Sequence, residues 1–424
     1  MREDFLHYIW STQQFNLHGL KTVCNKDLSI ISSGKYTTEA GADFQNAHIY
    51  LDKLHWYGHI EIHTKSSEWY NHNHHTDPKY NNVILHVVWE YDVDIFVPHN
   101  VIIPTLELKS LVNKQLNEAY MNLKITKNWI LCESSIHQIP TEIIDDWKKK
   151  LILERLHNKS KEIQQLLHQT NNNWEAVLFY TLAKNFGLNT NGIAFLEIVK
   201  NIGFAIFRKE ITDLENIEAL LFGMGGLLEG NFEDTYALNL KQRWEYLQAK
   251  YQINPTKKSE LVFFQHRPDN FPTIRLAQIA MLLYTKPYLF DDFIKTTKLT
   301  EFYSLLDLNV SPYWKKHYIF DKKGTEKNKK LSKNFIDLLL INTIIPFKYT
   351  FDQFLEKDTA DDMIALLSSI KSEKNATIDR FDNLGILSEN AFDSQSLLHL
   401  KKEYCNPKRC LDCQIGRYLL ENPL

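Results

Sequence analysis

The stretch Gly58-His59-Ile60-Glu61-Ile62-His63-Thr64-Lys65 alternates isoleucine with ionisable side chains. Successive side chains along a β-strand point to opposite faces of the sheet. The alternation therefore predicts a strand whose two isoleucines face a core, while Glu61, His63 and Lys65 lie in line on the other face. A carboxylate, an imidazole and an ammonium group on one sheet face form a candidate site for chemistry.

Neighbouring segments predict a sheet around this strand. Short runs rich in β-branched and aromatic residues lie at Leu28–Ser32, Ala47–Trp56, Val83–Tyr91 and Val101–Leu108. A leading helix is predicted within Asp4–Thr22, where apolar residues recur near helical spacing. Farther along, Ile144–Leu167 and Trp174–Phe186 are helical in pattern. We therefore predict an α+β protein with a mixed α/β module over residues 1–115 and a mostly helical region over residues 116–424.

Composition limits the class of protein. The 424 residues are 44% hydrophobic and 24% charged, which is typical of a globular chain with more than one folding unit. No apolar run approaches the roughly 20 residues that span a bilayer. The first residues, Met1-Arg2-Glu3-Asp4, are acidic where a secretory signal would be basic, and five cysteines form no secreted disulfide framework. We expect a cytoplasmic protein without membrane contact.

Charge is distributed unevenly along the chain. Residues 1–110 carry 8 Lys+Arg against 13 Asp+Glu, and the remainder carries 41 against 39. Residues 315–333 carry 8 Lys against 2 acids and are predicted to form an exposed loop. Arg267 and Arg275 flank a Pro-bounded turn before a predicted helix, which would suit a phosphate, although arginines also pair with acids between packed helices. We expect these segments to supply the electrostatic part of nucleic-acid binding.

Nine of the 17 histidines fall within residues 48–99. Two acids, Asp43 and Glu61, accompany them. Asp43, at the turn-like start of the preceding strand, would lie beside Glu61 if the two strands form a hairpin. Converging carboxylates bind a divalent cation such as Mg²⁺ or Mn²⁺ through oxygen. A bound metal stabilises charge on a phosphodiester and activates water, which His63 or Lys65 would orient. A solvated polar face is the alternative.

The order of helix, strand, Asp at a turn and Glu-x-basic strand resembles the PD-(D/E)xK nuclease superfamily over about residues 1–110. The resemblance implies a catalytic metal held by Asp43 and Glu61. Ala42 stands where that superfamily has Pro, and His63 where it has Lys. The role of the lysine is therefore either vacant or moved to Lys65.

A second acid-x-Lys match lies within the same module. Glu107-Leu108-Lys109 follows Asp92 and Asp94 and spells the motif literally. We favour Asp43 and Glu61 because the histidines gather around them.

Three further histidines are candidate substrate contacts or metal ligands. In the run Trp69–Asp77, His72 and His74 would share one face of an extended chain, and imidazole pairs suit Zn²⁺. His86, inside the apolar strand Val83–Val88, is either a hydrogen-bonded core residue or part of the Glu61 site. A zinc hydrolase built on His72, His74 and His75 is an alternative, although the chain lacks a His-Glu-x-x-His signature. A polar surface loop is another.

Cysteines gather near the end of the chain as Cys405-x4-Cys410-x2-Cys413. A Cys-x2-Cys pair is a metal clip, but a structural zinc site needs a fourth ligand, for which His399 is the nearest candidate. An iron–sulfur cluster usually takes four thiolates. Free reduced thiols are the alternative to zinc.

Longer phrases resemble an uncharacterised bacterial family, domain-of-unknown-function family 2851. They are Gly58–His63, Val83–Val88, Arg267–Pro272 and Cys405–Gly416. This resemblance spans nearly the whole chain and implies no activity. Two functions remain: a metal-dependent nuclease-like protein, and a non-catalytic nucleic-acid-binding or scaffold protein on a decayed nuclease fold. The absent lysine at position 63 favours the second, and the retained acids and histidines favour the first.

Overall fold

The computed structural model describes residues 1–37, 41–97, 101–125, 128–254, 261–264 and 266–422. It divides the chain into two compact units. The first unit comprises Met1–Trp147 and Lys401–Leu424, and the second comprises Lys148–Leu400. The predicted α+β class is confirmed, because the first unit holds a mixed sheet and the second is helical.

Eight strands are described, all in the first unit: β1 Leu28–Ser32, β2 Lys35–Tyr36, β3 Phe44–Leu51, β4 Leu54–Lys65, β5 Val83–Glu90, β6 Phe96–Val97, β7 Val101–Ile102 and β8 Thr105–Glu107. The main sheet has the order β1-β3-β4-β5-β8, with β2 beside β3, and β6 pairs with β7 separately. Strands β3 and β4 are antiparallel, whereas β4, β5 and β8 run parallel.

The predicted strand Ala47–Trp56 is wrong, because a hairpin turn divides it. Leu51 pairs with Leu54, and the two residues between them, Asp52 and Lys53, have φ values of 48° and 68°. Two left-handed residues give the turn whose twist matches the flanking strands. The signal is weak in the sequence because neither residue is the glycine that such turns favour.

One face of the sheet packs against the leading helix, α1 Glu3–Thr12. Phe5 and Trp10 of the helix lie in one core with Ile60 and Ile62, all at most 1% exposed. The predicted core face of β4 is therefore confirmed. The helix ends earlier than Thr22, because Gln13 adopts a left-handed conformation with φ 53°.

The other helices follow in chain order. The first unit adds α2 Glu68–Asn71 and α3 Lys114–Ile125, and α4 Thr141–Gln169 runs across the division between the units. The second unit continues with α5 Trp174–Phe186, α6 Leu188–Ile202, α7 Phe204–Glu210, α8 Leu214–Met224, α9 Thr235–Tyr251, α10 Pro272–Thr285, α11 Leu289–Lys295, α12 Leu299–Leu305, α13 Pro312–Lys316, α14 Lys333–Leu339, α15 Ile345–Phe354, α16 Ala360–Ser369, α17 Ala376–Asn383 and α18 Ala391–Leu400. The chain then returns to the first unit with α19 Gln414–Glu421.

The second unit packs around a core of its own. Phe195, Phe222, Trp314 and Phe347 are fully buried in it. Within the described residues no single helix is long and apolar enough to cross a membrane; one bent pair, α6 with α7, meets the length and composition test.

Candidate metal centre

The second face of the sheet is also buried where it carries Glu61 and His63 of β4. Parallel pairing places Glu61 beside His86 of β5. Glu61, His63 and His86 are 4%, 1% and 0% exposed. Gly58 makes this register feasible, because a Cβ at that position would lie 2.5 Å from the carbonyl oxygen of Asn82. The polar face predicted for β4 is thus enclosed at Glu61 and His63 and reaches the surface at Lys65.

Three imidazoles and one carboxylate meet on this face. Nε2 of His63 lies 3.1 Å from Nδ1 of His72 and 3.6 Å from Oε1 of Glu61. Nε2 of His74 lies 3.2 Å from the same carboxylate oxygen. One ring nitrogen from each histidine falls within 4.8 Å of the others, which is the spacing of donors around one metal ion. We call Glu61, His63, His72 and His74 the histidine cluster.

The segment after β4 brings two of these histidines back over the sheet. Glu68 accepts hydrogen bonds from the N–H and hydroxyl of Thr64, at 2.8 Å and 2.7 Å, which anchors α2 at the end of the strand. Asn73, with φ 61°, then turns the chain into two short 3₁₀ helices, His74–Thr76 and Pro78–Tyr80. The extended conformation expected for this run is therefore wrong.

Aromatic rings fix the position of His74. The Tyr80 ring stacks on the His74 ring with centroids 3.8 Å apart, and the buried Trp69 meets it edge-on at 5.4 Å. His75 instead faces Tyr70, with ring centroids 5.2 Å apart. His63 therefore stands where the zinc hypothesis placed His75. His99, the last member of the histidine-rich window, lies outside the described residues.

His86 contacts Nδ1 of His63, the ring nitrogen opposite the one that faces Glu61 and His72. Nε2 of His86 lies 2.8 Å from Nδ1 of His63, and both rings are buried. For His63 to offer a lone pair at Nε2, its proton must sit on Nδ1 and be donated to His86. The proton of His86 then sits on its own Nδ1, a buried atom without a hydrogen-bond partner among the described residues. A metal on His63 would thus select one tautomer for both rings.

Asp43 lies directly beside Glu61. Its backbone N–H donates to Oε2 of Glu61 at 3.1 Å, and its Oδ2 accepts the N–H of Ile62 at 3.0 Å. Nε2 of His7, on α1, lies 3.2 Å from the same Oδ2. The sequence did not identify His7 as a site residue. The available signal was its position one helical turn after Glu3 on the polar side of α1.

The enclosed setting shifts the protonation of these groups. Burial, and then the charge of Asp43, raises the pKa of Glu61 to about 9. Burial, and then the neighbouring imidazoles, lowers the pKa of His63 to about 2, and burial lowers the pKa of His86 to about 3. Both histidines are therefore neutral, which is the form that binds metals.

Lys65 lies away from the histidine cluster. Its side chain is 54% exposed, with Nζ 3.9 Å from Oε1 of Glu90. Lys109 of the second acid-x-Lys match contacts the same carboxylate at 3.0 Å, and Glu107 accepts the backbone N–H of Tyr91 at 3.1 Å. These partners show both acid-x-Lys lysines in surface ion pairs.

The second unit holds the two predicted arginines. Arg267 is exposed. Arg275 is 6% exposed, and its guanidinium donates to Gln278 at 2.8 Å and to Asn270 at 2.6 Å. The guanidinium also lies 3.5 Å from the centre of the Phe335 ring. Arg275 therefore packs inside the helical unit with amide partners.

Comparison with known proteins gives a family without an assigned activity. A family model described as "Protein of unknown function (DUF2851)" matches residues 3–376. The chain belongs to the DUF2851 family. No curated protein and no solved structure matches it. The range matched by DUF2851 includes the whole histidine cluster, whereas the segment Cys405–Cys413 follows it in the chain.

Proposed function

We propose that the first unit is a metal-dependent hydrolase that cleaves phosphodiester bonds in nucleic acid, with its metal bound by the histidine cluster. One observation carries the proposal: three imidazole nitrogens and a carboxylate oxygen converge from β4 and the segment that follows it. Most of these donors are buried, but His72 is exposed, so the cluster has access to solvent. The phosphodiester as substrate rests on the resemblance to the PD-(D/E)xK nucleases.

The donor set favours a different metal from the one that two carboxylates would select. Imidazole suits Zn²⁺ and several other transition-metal ions, whereas Mg²⁺ prefers ligands that are all oxygen. The histidine cluster offers three nitrogen donors for one oxygen donor. When bound, such a metal would polarise the phosphodiester and lower the pKa of a coordinated water.

His7, oriented by Asp43, is the candidate proton acceptor beside the metal ligands. The Asp43 carboxylate is held by the N–H of Ile62 and lies 3.2 Å from the His7 ring. A histidine oriented by a carboxylate is a common arrangement for a general base. In this proposal Asp43 orients His7 and adds negative charge beside Glu61, and His7 takes the proton of the attacking water.

The second candidate is a non-catalytic nucleic-acid-binding or scaffold protein. The observation that favours it is the position of Lys65, whose ammonium lies at the surface near Glu90. The histidine cluster therefore lacks the lysine that the resemblance would supply. On this view the cluster would bind a metal for stability alone.

Cleavage assays with matched variants separate the two candidates. Wild type is incubated with single- and double-stranded DNA and RNA, and with bis(p-nitrophenyl) phosphate, in the presence of Mg²⁺, Mn²⁺ or Zn²⁺. We expect cleavage with Mn²⁺ or Zn²⁺ that is lost in Glu61→Gln and His74→Ala. His55→Ala is the matched control, because His55 is an exposed histidine of the same strand.

Calorimetric titration with Mn²⁺ and Zn²⁺ should show one site that Glu61→Gln and His74→Ala lose, apart from any ion bound by cysteines. Metal binding without cleavage of any substrate would leave the scaffold candidate. The metal-centre proposal fails if the wild type binds neither ion, or if Glu61→Gln and His74→Ala bind them as the wild type does.

A further inference from the structure

The first unit brings Cys132 to the cysteines near the end of the chain. Lys401 Nζ lies 5.0 Å from the centre of the Trp129 ring, which joins the turn containing Cys132 to the helical segment ending at Cys405. Cys132 is buried in the same unit as the other three cysteines. Burial, and then the charges of Cys405, Cys413 and Cys410, raises the pKa of its thiol. We call Cys132, Cys405, Cys410 and Cys413 the cysteine cluster.

The cysteine cluster is enclosed and holds no disulfide bond. Cys132 and Cys413 are buried, at 8% and 7% exposure, and the other two are half-buried. Four sulfur donors drawn from two distant parts of a chain are the ligand set of structural zinc sites and of iron–sulfur clusters.

Burial raises the pKa of the Cys413 thiol, and the N–H groups of Ile415 and Gly416, at the start of α19, oppose that rise by donating to its sulfur. The N–H of Cys413 donates to the carbonyl oxygen of Cys410 at 3.3 Å and closes the Cys-x2-Cys turn. A Cβ at Gly416 would lie 2.1 Å from that carbonyl oxygen, so the turn needs glycine there. N–H donors stabilise the charged sulfur that binds a metal.

We propose that the cysteine cluster is a four-thiolate metal centre, in which Cys132 is the ligand that the segment Cys405–Cys413 lacks. This ligand replaces His399, which belongs to the second unit, where its Nε2 lies 3.4 Å from the Glu154 carboxylate. The inference is independent of the hydrolase proposed above, because it uses none of the histidine cluster.

The spacing of the thiols favours an iron–sulfur cluster over a single zinc. Around zinc, Zn–S bonds of about 2.3 Å would hold the sulfur atoms about 3.8 Å apart. Among the described residues, the three potential ligand atoms that all lie within 4.8 Å of one another belong to His63, His72 and His74. No three of the described thiols lie that close together. An iron–sulfur cluster spreads its four thiolates, because iron and sulfide atoms lie between them.

The test uses the full chain, purified without oxygen and reconstituted with iron and sulfide. His72→Ala and His74→Ala are included as a background that disables the histidine cluster. We expect bound iron and acid-labile sulfide, with visible charge-transfer absorption, all lost in Cys132→Ser. Cys24→Ser is the matched control, because Cys24 is an exposed cysteine of the same unit. It should keep the iron and the absorption.

Each outcome decides one part of the proposal. About one zinc per chain, lost in Cys132→Ser, would support the four-thiolate centre and overturn the iron–sulfur assignment. Iron or zinc retained in Cys132→Ser, or absent from the parent chain, would overturn the centre itself. Metal K-edge absorption of the parent chain gives a readout that does not depend on the folding of Cys132→Ser. A shell of sulfur alone supports four thiolates, and a nitrogen or oxygen ligand in the shell contradicts them.

Discussion

Replacing Glu61 by Gln should stabilise the metal-free first unit at neutral pH. The amide keeps the shape of the protonated carboxyl and can still accept the hydrogen bond from the N–H of Asp43. Folding raises the pKa of Glu61 from 4.5 to about 9, so the folded carboxyl keeps its proton at pH 7 while the unfolded one loses it. Its stabilising contribution is therefore complete below pH 4.5 and declines as the pH rises toward about 9.

The size of the effect follows from the pH interval. Between pH 4.5 and pH 7 the wild type loses about 3 kcal/mol of unfolding free energy through this group, at about 1.4 kcal/mol per pH unit. Gln does not titrate and avoids the loss. Glu61→Gln should thus exceed the wild type by up to about 3 kcal/mol at pH 7 and match it near pH 4.5. Added Mn²⁺ or Zn²⁺ should reverse the order at pH 7. The metal stabilises the folded wild type through the Glu61 carboxylate, which binds it more strongly than the Gln amide does.

Hydrogen exchange of β4 peptides measures the opening of the first unit separately from that of the second. The exchange free energies of wild type and Glu61→Gln are compared at pH 5 and pH 7, with chelator and with metal. Glu90→Gln serves as the control on the neighbouring strand, because the Glu90 side chain is 40% exposed and pairs with Lys109. The reasoning is refuted if Glu61→Gln is less stable than the wild type without metal at pH 7, or if metal protects both equally.

Two further predictions concern acid and salt. Because folding lowers the pKa values of His63 and His86 from 6.5 to about 2 and about 3, their stabilising contribution is present above pH 6.5 and is lost as the pH falls. Each histidine should lower the free energy of unfolding by about 1.4 kcal/mol per pH unit as the pH falls. An exchange free energy of β4 that stays constant from pH 6 to pH 4 would contradict this. If the second unit binds nucleic acid, Lys322→Glu with Lys323→Glu should weaken binding and lower the salt slope by about 2, whereas Lys357→Glu, also exposed, should not. Filter binding across salt concentrations measures both, and an unchanged slope would place the contact elsewhere.

Ion pairs and burial within residues 315–333 explain the choice of Lys322 and Lys323 for that experiment. Several lysines within residues 315–333 are already occupied in the second unit, such as Lys327, whose Nζ lies 2.7 Å from Asp269. Lys329 is 3% exposed and donates to the carbonyl oxygen of His317 at 2.7 Å. Composition predicted an exposed basic loop, but it cannot tell which ammonium groups have partners, because some partners, such as Asp269, lie far away in the sequence and others depend on how the segment itself folds.

Local patterns predicted what depends on one strand or one helix. The alternation around Glu61 gave the core face of β4, and Trp174–Phe186 gave α5 at its observed bounds. The burial of the opposite face was not predicted, because it depends on the segment Glu68–Tyr80 folding back over the strand. That fold depends on Asn73 in a left-handed conformation and on the anchoring of Glu68, neither of which has a periodic signature.

The residues that the sequence did not identify come from distant parts of the chain. His7 meets Asp43 only because α1 packs on the sheet, and Cys132 shares a unit with Cys405 only because the end of the chain returns to the first unit. Spacing rules search for ligands nearby in sequence, and they therefore pointed to His399 instead. His86 was recognisable as unusual by its apolar surroundings, but its partner depended on the parallel register of β4 and β5.

The discontinuity of the first unit determines the order in which the protein can fold during synthesis. Leu420 of α19 is buried in the core that α1 and the sheet share. At 5–20 residues per second, a ribosome needs roughly 10–50 s to make residues 148–400 before that helix emerges. Through this interval the apolar surface that receives Leu420 stays uncovered. The second unit is continuous in the sequence and is complete once residue 400 is made, so it can fold before the core of the first unit is closed. Apolar surface exposed on the nascent sheet is the kind that chaperones bind.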